Sequence, residues 1–285
     1  MAEISAADVK RLREKTGAGM MECKNALAAN GGDFDKAEKY LKEKGLAAVE
    51  KRTGRATNEG RIFVKTRKDN SAAVLVEIAS ETDFVARNPE FIALGDVIAE
   101  KALERECTGP DPEFSGMVTD LATKIRENMN LKRVRFVKAR EGGYLVQYIH
   151  GDGNIGVVAS FTSANPDIFS QEDVRAFAFT IALHVAAFNP MALSRDKMDS
   201  AFLKEQEDIY RKQMEGDEKL KGKPAAVIDN ILKGKINKYL ADVCLLEQAY
   251  VKDDKVTVEA ALAECGKKSG SRIEIAEYAY FRVGG

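Results

Sequence analysis

Ser80-Glu81-Thr82-Asp83-Phe84-Val85-Ala86-Arg87-Asn88-Pro89 is the stretch on which the reading of this chain turns. Ahead of it, Ala72 to Ala79 is short, apolar and β-branched, the pattern of a buried strand. Behind it, Asn88 suits an N-cap, Pro89 fits the first helical position, and Glu90 complements the positive helix end. Phe91, Leu94, Ile98 and Ala102 then recur at helical spacing. Thr82 to Arg87 is therefore a short loop between a rigid strand and a rigid helix, able to present an acid and an aromatic ring at a fixed place. The residue types leave a second reading open, in which Phe84 and Val85 fold under as local core.

On the N-terminal side, Lys68-Asp69-Asn70 is a turn and Arg61 to Arg67 alternates like a strand, so a hairpin delivers the central loop. On the C-terminal side, a Pro- and Gly-containing stretch leads to a helix with Val118, Leu121, Ile125 and Met129 on one face. Three strand candidates follow: Val134 to Ala139, Tyr144 to His150 and Ile155 to Phe161. A helix from about Gln171 to Phe188 repeats the order of strand then helix. The expectation is an α+β core of two related units, 61–140 and 141–193, the second completed by 244–285 with its helix from Thr257 and its strand from Arg272 to Val283.

Residues 1–45 read as three short helices. Ser5 caps one carrying Val9 and Leu12; Met20, Cys23, Ala26 and Leu27 face inward from a second. Asp33 caps a third with Phe34, Ala37, Tyr40 and Leu41 inward and Gly45 as its C′ residue. Such a bundle is typical of binding modules, and 46–60 reads as a linker. Adjacent Met20 and Met21 cannot both face one helix core; with Arg13 and Lys24 nearby they fit either a contact surface or core gap-filling. Between 194 and 243, Phe202 and Ile209 stand a heptad apart with Leu203 and Tyr210 beside them. After breaks at Gly216, Gly222 and Pro224, the residues Leu232, Ile236, Tyr239 and Val243 follow at spacings of four, three and four. That is a helical hairpin with a narrow seam, suited to self-association.

Charge excludes several classes. The 44 Lys and Arg nearly cancel the 45 Asp and Glu, so no net field argues for nucleic acid or an acidic membrane. No run is long and apolar enough to span a bilayer. Met1-Ala2-Glu3-Ile4-Ser5 lacks the basic and apolar regions of a signal peptide. Cys23, Cys107, Cys244 and Cys265 form no CxxC pair, which favours reduced thiols in a cytoplasm over a disulfide framework or a zinc site.

The catalytic signals are decoys. Gly151-Asp152-Gly153-Asn154-Ile155-Gly156 matches GxGxxG, but that motif needs a helix after it, and here strand-like residues stand on both sides, so it reads as a hairpin turn. The stretch from Gly216 to Lys223 lacks the spacing and hydroxyl of a phosphate loop. His184 lies on an apolar helix face and reads as a core histidine rather than a base. Lys132, Arg133, Arg135, Lys138 and Arg140 form a basic strand with only Phe136 interleaved, a solvated edge rather than an RNA-stacking surface.

Several separated motifs then carry a resemblance: Leu12 to Leu27, Thr82 to Asn88, Ile155-Gly156-Val157, His184 to Ala187, Leu246-Glu247-Gln248 and Val251 to Asp254. Over almost its whole length the chain resembles the bacterial translation elongation factor Ts family. The resemblance implies a ubiquitin-associated-like N-terminal module, a core of two related subdomains with antiparallel sheets, and an inserted coiled-coil hairpin through which a dimer of heterodimers can form. It implies a cytoplasmic exchange factor for elongation factor Tu that promotes GDP release without covalent chemistry, cofactor or metal, and without contacting nucleic acid or membrane. The loop Thr82, Asp83, Phe84 and Val85 is implied to intrude beside the partner's magnesium site, with Phe84 as wedge. Arg13, Met20, Met21, Lys24, Ile125 and His150 are implied partner contacts. Arg126 departs from the pattern, since a Gly can occur there in the family. The competing classes are an enzyme built on the glycine-rich turn and a cysteine, and a helical scaffold without exchange activity.

Overall fold

The computed structural model describes residues 4–217, 220 and 223–285. Residues 1–3 of the signal-peptide reading and Gly222 of the hairpin break lie outside the described residues.

Local capping starts the first three helices. Ser5 Oγ accepts from Asp8 N at 3.0 Å to open α1 (Ala6–Thr16), which ends at left-handed Gly17. α2 (Met20–Ala29) follows, and Asp33 accepts from Lys36 N at 3.0 Å to open α3 (Phe34–Glu50). Leu12, Cys23, Ala26, Leu27, Ala37 and Leu41 form their small core. Gly45 does not end the third helix, which runs on to Glu50 through the start of the expected linker. Its missing side chain serves packing instead: a Cβ there would lie 2.2 Å from Thr123 Cγ2. The bundle thus rests directly on the core, where Lys42 Nζ also meets Asp120 at 3.4 Å.

The core begins with β1 (Glu59–Thr66) and β2 (Ala72–Ser80), continues through the single turn α4 (Asp83–Ala86), α5 (Pro89–Glu104) and α6 (Pro112–Ile125), and reaches β3 (Met129–Lys138). The three strands form an antiparallel sheet in the order β1-β2-β3. Val74, Val76 and Ile78 pack from one face of β2 against Phe91, Ile98, Phe114 and Val118. Met129 begins a strand rather than extending the helix, because Arg126 turns the chain with φ 69°.

A second antiparallel sheet, in the order β4-β5-β8, joins β4 (Tyr144–His150), β5 (Ile155–Ser163) and β8 (Ile273–Arg282). Its outer face packs on α7 (Glu172–Phe188) and α10 (Val258–Ser269) through Val157, Phe161, Ile181, Val185 and Leu262. The inner faces of the two sheets meet. Ile62, Val64, Ala73, Leu75 and Val137 pack on Leu145, Val158, Ala279 and Phe281. Consequently β2 is buried on both faces along its whole length.

Between the two parts of the second sheet lie α8 (Ser200–Glu215) and α9 (Ala225–Val243), then a small hairpin of β6 (Ala249–Tyr250) and β7 (Asp253–Thr257) where a turn alone was expected. The seam of the helix pair holds Met214, Leu232 and the Tyr210–Tyr239 edge contact, while Ile209 is exposed. Among the described residues no helix is long and apolar enough to cross a membrane.

His184 on α7 is fully buried, and Nε2 stands 3.0 Å from Gln248 Oε1. Gln248 Nε2 already donates to Asp242 O at 2.8 Å, so Oε1 is its acceptor and His184 Nε2 carries the proton. Nδ1 has no hydrogen-bond partner among the described residues, and burial holds the imidazole below its ordinary pKa. A lowered folded pKa means that the unfolded chain takes up the proton first as pH falls. Stability is therefore fully present above the unfolded value of about 6.5 and declines below it. Urea unfolding at pH 5.5 should give a free energy lower than at pH 7.5 by up to about 1.4 kcal/mol, and His184→Gln should remove that slope. An unchanged slope in the variant would exclude His184 as its source.

Candidate functional site

The end of β2 is pinned before the loop begins. Ser80 Oγ donates to Thr82 O at 2.9 Å, and Thr82 in extended conformation caps α4, accepting from Val85 N at 3.4 Å. Asn88 closes the far side: its N–H donates to Val85 O at 2.9 Å, and its side chain accepts from Glu90 N at 2.8 Å. The expected loop is thus a helical turn. Successive residues on a helix point about 100° apart, so Phe84 and Val85 cannot share one direction. Val85 enters the first core at 4% exposure, whereas Phe84 stands 81% exposed. The two readings of this pair are divided between its members: Val85 is core and Phe84 is presented.

Asp83 sits beside the ring, half exposed, with Arg87 Nη2 3.5 Å away. It lines a narrow cleft with Glu59, Arg87, Asp152 and Asn154, so the glycine-rich turn of the second sheet borders the same place. That turn joins antiparallel β4 to β5, with Gly151 at φ 58° and Gly153 at φ 89°, and no helix follows it. Glu81, one residue before the cap, accepts from Asn128 N at 2.6 Å and lies 3.3 Å from Arg55. The Asn128 N–H, and then Arg55, hold its carboxyl below the usual range.

The three-helix bundle presents a second surface. Met20 and Met21 are both exposed, at 45% and 65%, so the inward side of α2 belongs to Cys23, Ala26 and Leu27. Arg13 and Lys24 are exposed on the same bundle. Glu22, next to the two methionines, pairs with Arg126 at the end of α6; that contact, reinforced by the Gly19 N–H, lowers its pKa. Ile125 is half buried against the first core. His150 is exposed at the end of β4, with Nδ1 3.1 Å from Tyr148 Oη.

The structure therefore links Thr82 to Val85 with the bundle through residues 126–128, and sets His150 just before the turn that borders the cleft of Asp83. Glu127 and Asn128 escape sequence reading, because nothing in their spacing announces partners more than forty residues away. All four cysteines are free thiols, and no group of three or more His, Cys, Asp or Glu among the described residues could hold a metal ion.

Comparison with known proteins places this geometry. The sequence model of the family described as "Elongation factor TS" matches residues 81–285, beginning at the capped turn itself. An elongation factor Ts of Treponema denticola is 48% identical over 282 residues, covering 99% of each chain. That of Treponema pallidum is 45% identical over 291 residues, again covering 99% of each. In Borreliella burgdorferi the corresponding protein is 39% identical over 290 residues and the whole of both chains. With relatives matching end to end and the family model covering the chain from the capped turn through the whole second sheet, the chain belongs to the elongation factor Ts family.

Proposed function

We propose that this protein is a cytoplasmic guanine nucleotide exchange factor of translation elongation, which binds elongation factor Tu carrying GDP and promotes release of the nucleotide. The observation that carries the reading is Phe84: a large apolar ring, 81% exposed, on a turn capped at both ends. An exposed ring held rigidly costs little to order on binding and gains its burial in the complex. The factor need supply no chemistry. It must bind the nucleotide-free partner more tightly than the GDP-bound partner, and that difference in affinity displaces GDP.

The residues divide the work. Thr82 caps the turn, Val85 roots it in the core, and Phe84 enters beside the partner's magnesium site. Asp83 acts there by charge and hydrogen bonding. Its carboxylate already faces Arg87, and a single exposed acid competes poorly for a cation held by a diphosphate. Arg13, Met20, Met21 and Lys24 form a second contact from the bundle, the flexible thioethers fitting an adaptable surface. Ile125 and His150 add flanking contacts, and the α8–α9 pair gives a route to a dimer of heterodimers. No cofactor, nucleic acid or membrane enters the scheme.

Stopped-flow release of a fluorescent GDP from elongation factor Tu, with and without this protein, tests the reading. Release should accelerate with factor concentration and reach a plateau. A rate that stays at the intrinsic value throughout would remove the proposal.

A further inference from the structure

Residues 126–128 connect α6 to β3, and between them they reach the bundle, the start of the capped turn and the segment ahead of β1. The Arg126 side chain pairs with Glu22 at the start of α2, beside Met20 and Met21. The Glu127 carboxylate accepts from Thr82 Oγ1 at 2.9 and 3.1 Å. Asn128, buried at 4% exposure, donates its backbone N–H to Glu81 and its side-chain amide to Arg55 O at 2.8 Å. Both surfaces assigned to the partner, one on the bundle and one on the capped turn, are therefore tied to three consecutive residues.

We propose that this turn is the joint that holds the bundle and Phe84 in one relative placement, with Glu127 as a positioning residue for nucleotide exchange. The inference rests on the exchange reading given above. Its centre is the hydroxyl of Thr82, which has one proton and two lone pairs. Because the proton points at Glu127, a lone pair is turned toward Val85 N, the cap that starts α4. A one-turn helix is not stable by itself, so its direction depends on such caps. Phe84 has no packing of its own to compensate, and its ring goes where α4 points. Without Glu127 the hydroxyl is free to rotate and the cap loosens. Holding both surfaces in register also lowers the cost of the second contact once the first has formed.

GDP release measured over a range of factor concentrations separates the plateau rate from the concentration giving half of it. Glu127→Ala should lower the plateau about tenfold, the worth of one hydrogen bond to a charged acceptor. Glu127→Gln, which keeps an acceptor oxygen, should stay within about twofold of the wild-type plateau. Thr82→Val removes the cap as well as the donation to Glu127, so it should slow the plateau at least as much as Glu127→Ala. The double variant should be no slower than Thr82→Val alone, since Glu127 acts only through that hydroxyl. Glu22→Ala should instead raise the half-maximal concentration and leave the plateau in place. A wild-type plateau in Glu127→Ala, or losses that multiply in the double variant, would overturn the joint. If Glu127→Ala fails to fold, Thr82→Val decides alone, and a wild-type plateau there overturns it equally. Absence of any acceleration by the wild-type protein is a separate result, which removes the exchange reading itself.

Discussion

Phe84→Ala should slow GDP release at saturating factor by roughly 30- to 150-fold while leaving the melting temperature of the free protein unchanged. The magnitude follows from a buried aromatic anchor at an interface, worth about 2–3 kcal/mol on truncation. The unchanged stability follows from exposure: the ring fills no cavity in the free protein, so its removal leaves none. Coupling is reciprocal, so the variant should also lose part of the antagonism between GDP and factor for the partner. Stopped-flow release alongside thermal melts checks both halves. Wild-type release by a well-folded variant would sink the wedge; a strongly lowered melting temperature would place the ring in the core after all.

Glu77→Ala should destabilise the protein by about 3 kcal/mol, through a different part of the fold. Glu77 lies on β2 with no exposure, paired with Arg133 and 3.7 Å from Lys132 Nζ. Arg133 Nη2 also donates to Arg282 O at 2.9 Å and its guanidinium lies 4.3 Å from the Phe281 ring centroid. The carboxylate further accepts from Gly284 N at 3.3 Å, so one acid ties β2 and β3 to the end of β8. Removing it strands a partly buried guanidinium and an unpaired backbone N–H. Partial exposure of Arg133 keeps the cost at the lower end of the range for a broken buried pair. Glu77→Leu combined with Arg133→Leu should recover part of the loss, because no guanidinium is left stranded, while the partly exposed Lys132 turns to water and the Gly284 N–H stays unpaired. Urea unfolding of the three proteins measures this, and equal losses in the single and double variants would assign the effect to packing.

What the sequence made legible was chiefly local. Asn88, Pro89 and Glu90 announce the start of α5 because a cap needs only its own neighbours. The short, continuous apolar run of β2 marks a buried strand for the same reason. The exposure of Phe84 is not local: an aromatic before a capped helix is ordinarily core, and only the direction of α4 separates it from Val85. Gly45 mimics a helix stop, yet its role is set by Thr123 on another helix. Met129 keeps helical spacing with Ile125, but Arg126 has already reversed the chain. The hydrogen bond from Thr82 to Glu127 bridges 45 positions, and no pattern in either segment anticipates it.

The double-sided burial of β2 has a consequence for how the molecule breathes. An amide in a strand packed on both faces exchanges its proton with solvent only when the whole core opens, whereas segments with few buried contacts exchange through local opening. The helix pair of α8 and α9, with only Met214, Leu232 and Leu240 buried, belongs to the second kind. Ser80, from which the presenting turn hangs, is the last residue of the first kind. The ring proposed to meet the partner is thus mounted on a strand whose amides exchange only through opening of the core. Fluctuations that loosen the periphery pass it by.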